Sequence, residues 1–140
     1  MRIEFIVEGI RAKARPRFTK SGHCFKPKED SLYEKKIRDA YIGSGGVRSD
    51  KYIKMTLEIY FKIPKSYSKK KKQECLNGNL RPSKRPDVDN IVKNICDGLN
   101  PKESVGFEGA YSDDASVVEI IASKHFTEEE DYIKVIIEEI

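Results

Sequence analysis

Several residue types are rare or missing in this sequence of 140 residues. It has no tryptophan, three cysteines and two histidines. The cysteines, Cys24, Cys75 and Cys96, form no C-x-x-C pair, so we expect free thiols in a reducing compartment and not a disulfide framework. His23 and His125 have no partner at ligand spacing, which argues against a zinc site. We therefore interpret both histidines as surface or loop residues.

Long apolar stretches are also absent. No run approaches the roughly 18 residues that a membrane-spanning helix needs. The first nine residues alternate like a strand and do not resemble the apolar core of a signal peptide. We therefore expect one cytoplasmic domain over residues 1–140, with neither a membrane partner nor a small organic cofactor.

Positive charge, in contrast, is plentiful and clustered. The net charge is +4. Residues 128–140 carry six acidic residues against one basic residue, so the rest of the chain is more basic than the total suggests. Clustered positive charge is typical of a protein that binds a polyanion such as DNA. A solvated basic surface is the alternative. The clusters comprise Arg11, Lys13, Arg15, Arg17 and Lys20, then Lys69, Lys70, Lys71 and Lys72, then Arg81, Lys84 and Arg85.

Hydrophobic periodicity predicts the secondary structure. Strict alternation indicates strands at 2–8 and 51–63, and runs rich in Val and Ile indicate strands at 115–122 and 131–138. Helical spacing indicates helices at 28–41 and 89–99, with Asp89 as the N-cap of the latter and a short basic helix ending near residue 76. Residues 9–27 are predicted to be a loop or irregular ribbon. The order β-α-β-α-α-β-β predicts an α+β domain with a mixed or antiparallel sheet and helices packed on one face.

Two aspartates stand at the start of the clearest helix. Pro86 favours an extended entry into this segment, in which Asp87 and Asp89 would project from the same side. Paired carboxylates suit a hard cation such as Mg²⁺, with Mn²⁺ as a possible substitute. Lys93 follows Asp89 by one helical turn and would lie on the same face. In the alternative interpretation these are capping and turn residues, and Lys93 forms an ordinary exposed pair with Asp97.

A second acidic pair precedes the predicted strand at 115–122. Asp113 and Asp114 are either turn formers or, if one of them meets Asp87 and Asp89, part of a metal site. Three converging acids beside basic clusters are what a metal-dependent phosphodiesterase needs, because bound metal polarises the phosphate and activates water. A nearby lysine can offset the charge of the transition state.

The linked motifs resemble a known family. The stretches R-P-D-V-D-N-I-V-K-N-I-C-D-G-L-N and Y-S-D-D-A-S-V-V look like the signature of RusA Holliday junction resolvases. The basic segment from Lys13 to Thr19 and the long strand ending at Pro64 resemble the same family, so the likeness covers nearly the whole chain. Such proteins are small homodimeric endonucleases of phages, prophages and bacterial chromosomes.

The resemblance implies roles for individual residues. Asp87, Asp89 and Asp114 match the metal-binding aspartates, with Asp113 assisting, and Lys93 matches the catalytic lysine. Asn90 would be the signature asparagine that orients the loop. The sequence departs from the family pattern at residues 101–109, which look inserted, and at Ser116, where Gln is frequent.

These observations together predict a Mg²⁺-dependent endonuclease that resolves four-way DNA junctions in recombination and repair. The DNA backbone would be contacted by Arg11, Lys13, Arg15, Arg17, Lys69, Lys70, Lys71, Lys72, Lys84 and Arg85. One alternative is a catalytically silent protein that binds junctions. Another is a metal-dependent enzyme that acts on RNA.

Overall fold

The computed structural model describes residues 1–13, 17–18, 20–22, 24–25 and 27–140, with the backbone alone for 17–18 and 24–25. Along the chain the strands and helices are β1 (Arg2–Glu8), β2 (Arg17–Phe18), β3 (Cys24–Phe25), α1 (Lys28–Gly43), β4 (Ile53–Lys62), α2 (Lys69–Leu76), α3 (Val88–Gly98), β5 (Val117–Thr127) and β6 (Tyr132–Glu139). Short 3-10 turns cover Glu103–Val105 and Asp114–Ser116. Within this described part of the chain, no helix is long and apolar enough to cross a membrane.

The main sheet has the strand order β1-β6-β4-β5. β6 pairs antiparallel with both β1 and β4, whereas β4 and β5 run parallel. The sheet is therefore mixed, and the predicted α+β class and element order are confirmed. β2 and β3 pair as a small separate ribbon within the segment that the sequence predicts to be a loop or irregular ribbon.

The core lies on the face of the sheet that packs against α1 and α3. Strand β4 shows why, because its alternate residues Ile53, Met55, Leu57 and Ile59 are fully buried while the residues between them are half-buried. Burying one such side chain contributes about 1.5–3 kcal/mol relative to leaving it exposed. The same cluster includes Ile37 of α1 and Ile91, Ile95 and Leu99 of α3. The predicted packing of these two helices against one face is thus confirmed, while α2 lies beside β5.

Strand β5 differs from its predicted bounds of 115–122. It begins two residues later, because Ala115 and Ser116 belong to a 3-10 turn. It also continues to Thr127, because each residue from Lys54 to Lys62 of β4 has a partner in β5. The polar stretch of Ser123, Lys124 and His125 hid this extension, since it lacks the apolar run that identifies a buried strand.

Residues 101–109 form a compact excursion between α3 and the second acidic pair. Lys102 and Phe107 bridge across it, and Gly106 turns the chain with a φ of 69°. Phe107 and the following Ala110 are buried in the core. This segment, expected to be an insertion, therefore contributes packing of its own.

Candidate active site

Helix α3 begins at Val88, one residue before the predicted start. The N-cap is Asp87, whose backbone is extended and whose carbonyl accepts the first helical hydrogen bond from the Ile91 N–H at 3.1 Å. The prediction of Asp89 as N-cap is therefore wrong, and so is the extended placement of both aspartates, because Asp89 lies in the first helical turn. Negative charge at a helix N-terminus is favourable, so this position tolerates two acids.

Neither of these carboxylates is buried. Asp87 and Asp89 are both exposed, and the Asp87 side chain makes no capping hydrogen bond. Lys93, also exposed, follows Asp89 by one turn on the same face of the helix. The start of α3 therefore presents two carboxylates and one ammonium group to solvent.

The alternative pairing of Lys93 with Asp97 is not found. Asp97 instead forms a salt bridge with Lys13, in which both side chains are largely buried. Within the described part of the chain, Lys93 takes part in no salt bridge. Its ammonium group is thus available to an incoming anion.

The two residues of the second acidic pair, Asp113 and Asp114, lie in different environments. Asp113 precedes the 3-10 turn in an extended conformation, and its Oδ2 accepts a hydrogen bond from the Ala115 N–H at 3.2 Å. Asp114 is half-buried, and its Oδ2 accepts a hydrogen bond from the Asn100 side chain at 3.4 Å. Asp113 therefore stabilises the turn, and Asp114 faces the end of α3.

The chain before this pair is fixed to α3 by two hydrogen bonds. The buried Tyr111 hydroxyl donates to the Cys96 carbonyl at 2.8 Å, and the Ala110 N–H donates to the Leu99 carbonyl at 2.9 Å. Burial raises the pKa of Tyr111, and the charge of Asp114 acts in the same direction. The phenol consequently stays neutral and keeps its proton for this bond.

The pKa of the Cys96 thiol depends on the charges of Asp114 and Lys93. Burial is the main reason that the pKa of Cys96 rises to about 11. The charge of Asp114 raises this pKa as well, whereas the charge of Lys93 lowers it. Asp114 and Lys93 therefore both lie within electrostatic reach of the same turn of α3.

The acids do not converge into a closed metal site. Among the described residues, no three His, Cys, Asp or Glu side chains are close enough together to hold an ion. The donor set nevertheless fits Mg²⁺ chemically, since all of these groups offer hard oxygen ligands. Asp87 and Asp89 lie at the start of α3, Lys93 follows one turn later, and Asp114 is hydrogen-bonded to Asn100 just beyond the end of the helix.

Basic residues border this helix at its start. Lys84 and Arg85 line a cleft of about 460 Å³ with Lys62 and Lys65, two lysines outside the predicted basic clusters. Their basic character was visible in the sequence, but nothing there placed the end of β4 beside the segment before Asp87. Pro86, which also lines this cleft, immediately precedes Asp87 in the chain.

The lysines of α2 form a second basic surface. Ser68 caps the helix by accepting a hydrogen bond from the Lys71 N–H at 3.2 Å. Lys69, Lys70 and Lys71 are exposed, and the Lys71 ammonium lies 4.0 Å from the centre of the Tyr67 ring. These side chains are accessible to a phosphate backbone.

The first basic cluster has a different setting. Arg11 pairs with the buried Asp30 at 2.6 Å, and Lys13 pairs with Asp97. Arg15 lies outside the described residues, as does the side chain of Arg17. The predicted DNA contacts of all four residues stay predictions.

Two comparisons with known proteins bear on this site. A family model described as endodeoxyribonuclease RusA matches residues 9–138. The uncharacterized protein YqaN of Bacillus subtilis (strain 168) is 42% identical over 79 residues, which cover 55% of this chain and 51% of that protein. The chain thus spans about half the length of this curated relative. Because the family model covers nearly the whole chain, both acidic pairs and the residues along α3 included, the chain belongs to the RusA endodeoxyribonuclease family.

Proposed function

We propose that this protein is a Mg²⁺-dependent endonuclease that resolves four-way DNA junctions in recombination and repair. The observation that carries the proposal is the start of α3 in a member of a DNA endonuclease family: Asp87, Asp89 and Lys93 are exposed, and Lys84 and Arg85, which precede them in the chain, line a cleft with Lys62 and Lys65. A junction presents closely spaced phosphates from several strands. A site with carboxylates for a cation and lysines for phosphates suits that substrate.

Each residue of the site has a proposed role. Asp87, Asp89 and Asp114 would hold Mg²⁺, with Mn²⁺ as a substitute, and Asp113 would assist by fixing the turn that carries Asp114. A bound ion would supply Lewis-acid chemistry at these carboxylates, for the scissile phosphate and for an attacking water. Lys93, one turn after Asp89 on α3, would stabilise the negative charge that develops on the phosphate.

The DNA backbone is proposed to follow the exposed basic surfaces. Lys69, Lys70, Lys71 and Lys72 of α2 contact one arm, and Lys84 and Arg85 guide the scissile strand towards Asp87. Such contacts fix position without reading base sequence. Arg15 and Arg17 are proposed to extend this surface. For Arg11 and Lys13, the ion pairs with acidic residues compete with a contact to phosphate.

A homodimer would supply the two active sites needed to cut two strands, as the family resemblance implies. The structure offers the edge strand β5 for this contact, since Val118, Ile120 and Ile121 are 54%, 43% and 51% exposed. An apolar sheet edge of this kind favours pairing with another strand. A second copy of β5 would extend the sheet across a two-fold axis. Sedimentation velocity tests this proposal: Val118→Lys with Ile121→Lys should yield monomers, and the equally exposed Leu32→Lys on α1 should not.

The activity is tested with a synthetic four-way junction and Mg²⁺. The wild-type protein should release nicked duplexes, whereas Asp89→Asn and Asp114→Asn should bind the junction without cutting it. Asp50→Asn is the matched control, because Asp50 is 86% exposed and pairs only loosely with Arg48 at 3.4 Å. Wild-type binding without a cleavage product would instead establish the silent junction-binding protein. Equal cleavage of an RNA duplex would move the substrate class to RNA.

A further inference from the structure

Three polar side chains of α3 form a row that faces the segment Gly9–Lys13, which we call the N-terminal anchor. They are Asn90, Asn94 and Asp97, which follow one another at helical spacing and therefore share one side of the helix. This side adjoins the face that carries Asp89 and Lys93. The row is thus placed to control how α3 is oriented about its own axis.

Two alternate residues of the anchor, Arg11 and Lys13, contact the row. The Asn94 side chain donates to the Arg11 carbonyl at 2.9 Å, and the Asn90 Oδ1 accepts from the Lys13 N–H at 2.6 Å. The Lys13 ammonium then pairs with Asp97. Arg11 and Lys13 thus both contact α3 through backbone groups, and Lys13 also through its side chain.

The anchor is also fixed away from α3. The Tyr33 hydroxyl of α1 donates to the Gly9 carbonyl at 2.8 Å, and the Gly9 N–H donates to the Asp131 carbonyl at 2.8 Å. Arg11 pairs with Asp30 of α1, whose side chain is 3% exposed. The anchor therefore connects α3 to α1 and to the end of the sheet.

Electrostatics explains why Lys13 is needed where it lies. Asp97 places a carboxylate in the last turn of α3, where the helix dipole disfavours negative charge. The last turn of α3 contains no basic residue of its own. Lys13 supplies that cation from outside the helix, and its side chain and that of Asp97 are only 24% and 17% exposed. A phosphate that took Lys13 would have to approach Asp97 and leave it unpaired.

We propose that Arg11 and Lys13 are positioning residues that clamp α3 through Asn90, Asn94 and Asp97, and that they do not neutralise DNA phosphates. The clamp orients the helix face that carries Asp89 and Lys93. This inference rests on the proposed nuclease function of that face. It assigns the signature asparagine Asn90, expected to orient a loop, to the contact with the anchor.

The variant Lys13→Met distinguishes a lysine that positions α3 from a lysine that neutralises a DNA phosphate. We measure single-turnover cleavage of a four-way junction with Mg²⁺, and binding of the same junction with EDTA at several salt concentrations. A misplaced catalytic group can cost on the order of a hundredfold in rate, so cleavage should slow by about ten- to a hundredfold. The slope of log K against log salt should stay unchanged. If Lys13 contacted a phosphate, the negative slope would instead become shallower by about 0.9, and that result would overturn the proposal.

Asp97 supplies the partner variants. Asp97→Asn should slow cleavage like Lys13→Met, whereas a phosphate-binding Lys13 released from Asp97 would strengthen DNA binding. The charge-swapped protein Lys13→Asp with Asp97→Lys should recover most of the rate, and so should Lys13→Arg. Failure of both rescues would contradict the clamp.

A readout without DNA keeps the test independent of the nuclease proposal. Hydrogen exchange of the α3 amides from Ile91 to Gly98 should accelerate in Lys13→Met and return towards the wild-type rate in the charge-swapped protein. Unchanged exchange would overturn the clamp even if the wild type cleaves junctions. Conversely, a wild type that cleaves no junction would refute the nuclease proposal. If exchange still accelerates in Lys13→Met, the clamp would stand.

Discussion

Gly98 of α3 lies directly against the side chain of Ile37 in α1. A Cβ atom added at Gly98 would come within 2.6 Å of the Ile37 Cδ1 atom and 3.0 Å of its Cβ. Ile37 is fully buried. The contact of α1 with α3 at this point thus depends on a glycine in the helix that carries the candidate catalytic residues.

Gly98→Ala should destabilise the protein despite the better helix propensity of alanine. That propensity gains about 1 kcal/mol, whereas forcing an extra methyl group into a packed core costs about 1–3 kcal/mol. We expect a net loss of about 1 kcal/mol in the free energy of unfolding, measured in urea. Gly43→Ala, at the end of α1 with nothing within 4 Å of the added Cβ, is the control and should not lower stability. Equal stability of the two variants would contradict the close packing.

Asp30→Ala should destabilise the protein far more than the removal of an exposed acid. Breaking the pair of Asp30 with Arg11 leaves an uncompensated charge, which costs about 3–5 kcal/mol when both partners are buried. Because the Arg11 side chain is 33% exposed, we expect a loss near the lower bound, about 3 kcal/mol. Asp39→Ala, which breaks the exposed pair of Asp39 with Lys35 on the same helix, should cost below about 0.5 kcal/mol. Thermal and urea unfolding of both variants measure these losses. Similar losses in stability would show that the pair of Arg11 with Asp30 stabilises the fold no more than the exposed pair does.

Cys96 should resist alkylation in the folded protein. Its thiol is buried and has its pKa raised to about 11, so little thiolate is present at pH 8. Iodoacetamide at pH 8 should label the Cys96 peptide only after the protein unfolds, as read by mass spectrometry. Rapid labelling under native conditions would contradict this.

The same thiol predicts how stability depends on pH. From the ordinary pKa of 9.0 upward the unfolded chain loses the Cys96 proton, while the folded protein keeps it until about pH 11. This contribution is therefore complete below pH 9 and is lost as pH rises towards 11, by an amount on the order of 2 kcal/mol. The free energy of unfolding should fall more steeply between these values in the wild type than in Cys96→Ala. Parallel curves would refute the shift.

The lysines of α2 should determine much of the salt dependence of DNA binding. Replacing Lys69, Lys70 and Lys71 with alanine should make the negative slope of log K against log salt shallower by about 0.9 for each phosphate that the protein no longer neutralises. Lys35→Ala, in an exposed pair on α1, is the control and should leave the slope as it is. An unchanged slope in the triple variant would show that α2 does not bind the DNA backbone.

Local patterns predicted the elements well because the physics behind them is local. The alternation of Ile53, Met55, Leu57 and Ile59 predicted β4, and the apolar stripe of α3 predicted that helix to within one residue at each end. The start of α3 was misplaced because two good capping residues stand two apart and sequence alone does not say which carbonyl accepts the first helical bond.

Contacts between distant residues could not be predicted in the same way. Asp97 has Lys93 one turn away, and helical spacing favours that pair, yet the structure pairs Asp97 with Lys13 of the N-terminal anchor. The lining of the basic cleft by Lys62 and Lys65 likewise depends on where the end of β4 lies in the folded chain. Linked sequence motifs selected the acids, and tertiary packing decided which groups surround them.

The parallel pairing of β4 and β5 has a consequence for how this protein can change over evolution. The connection between these adjacent strands contains α2, α3, the segment 101–109 and both acidic pairs, whereas β1, β6 and β4 pair antiparallel outside it. Insertions and substitutions at exposed positions of the connection can therefore alter what the protein recognises without changing the pairing of these three strands. Lys13 and Arg11, outside the connection but hydrogen-bonded to it, are among the residues expected to vary together with it.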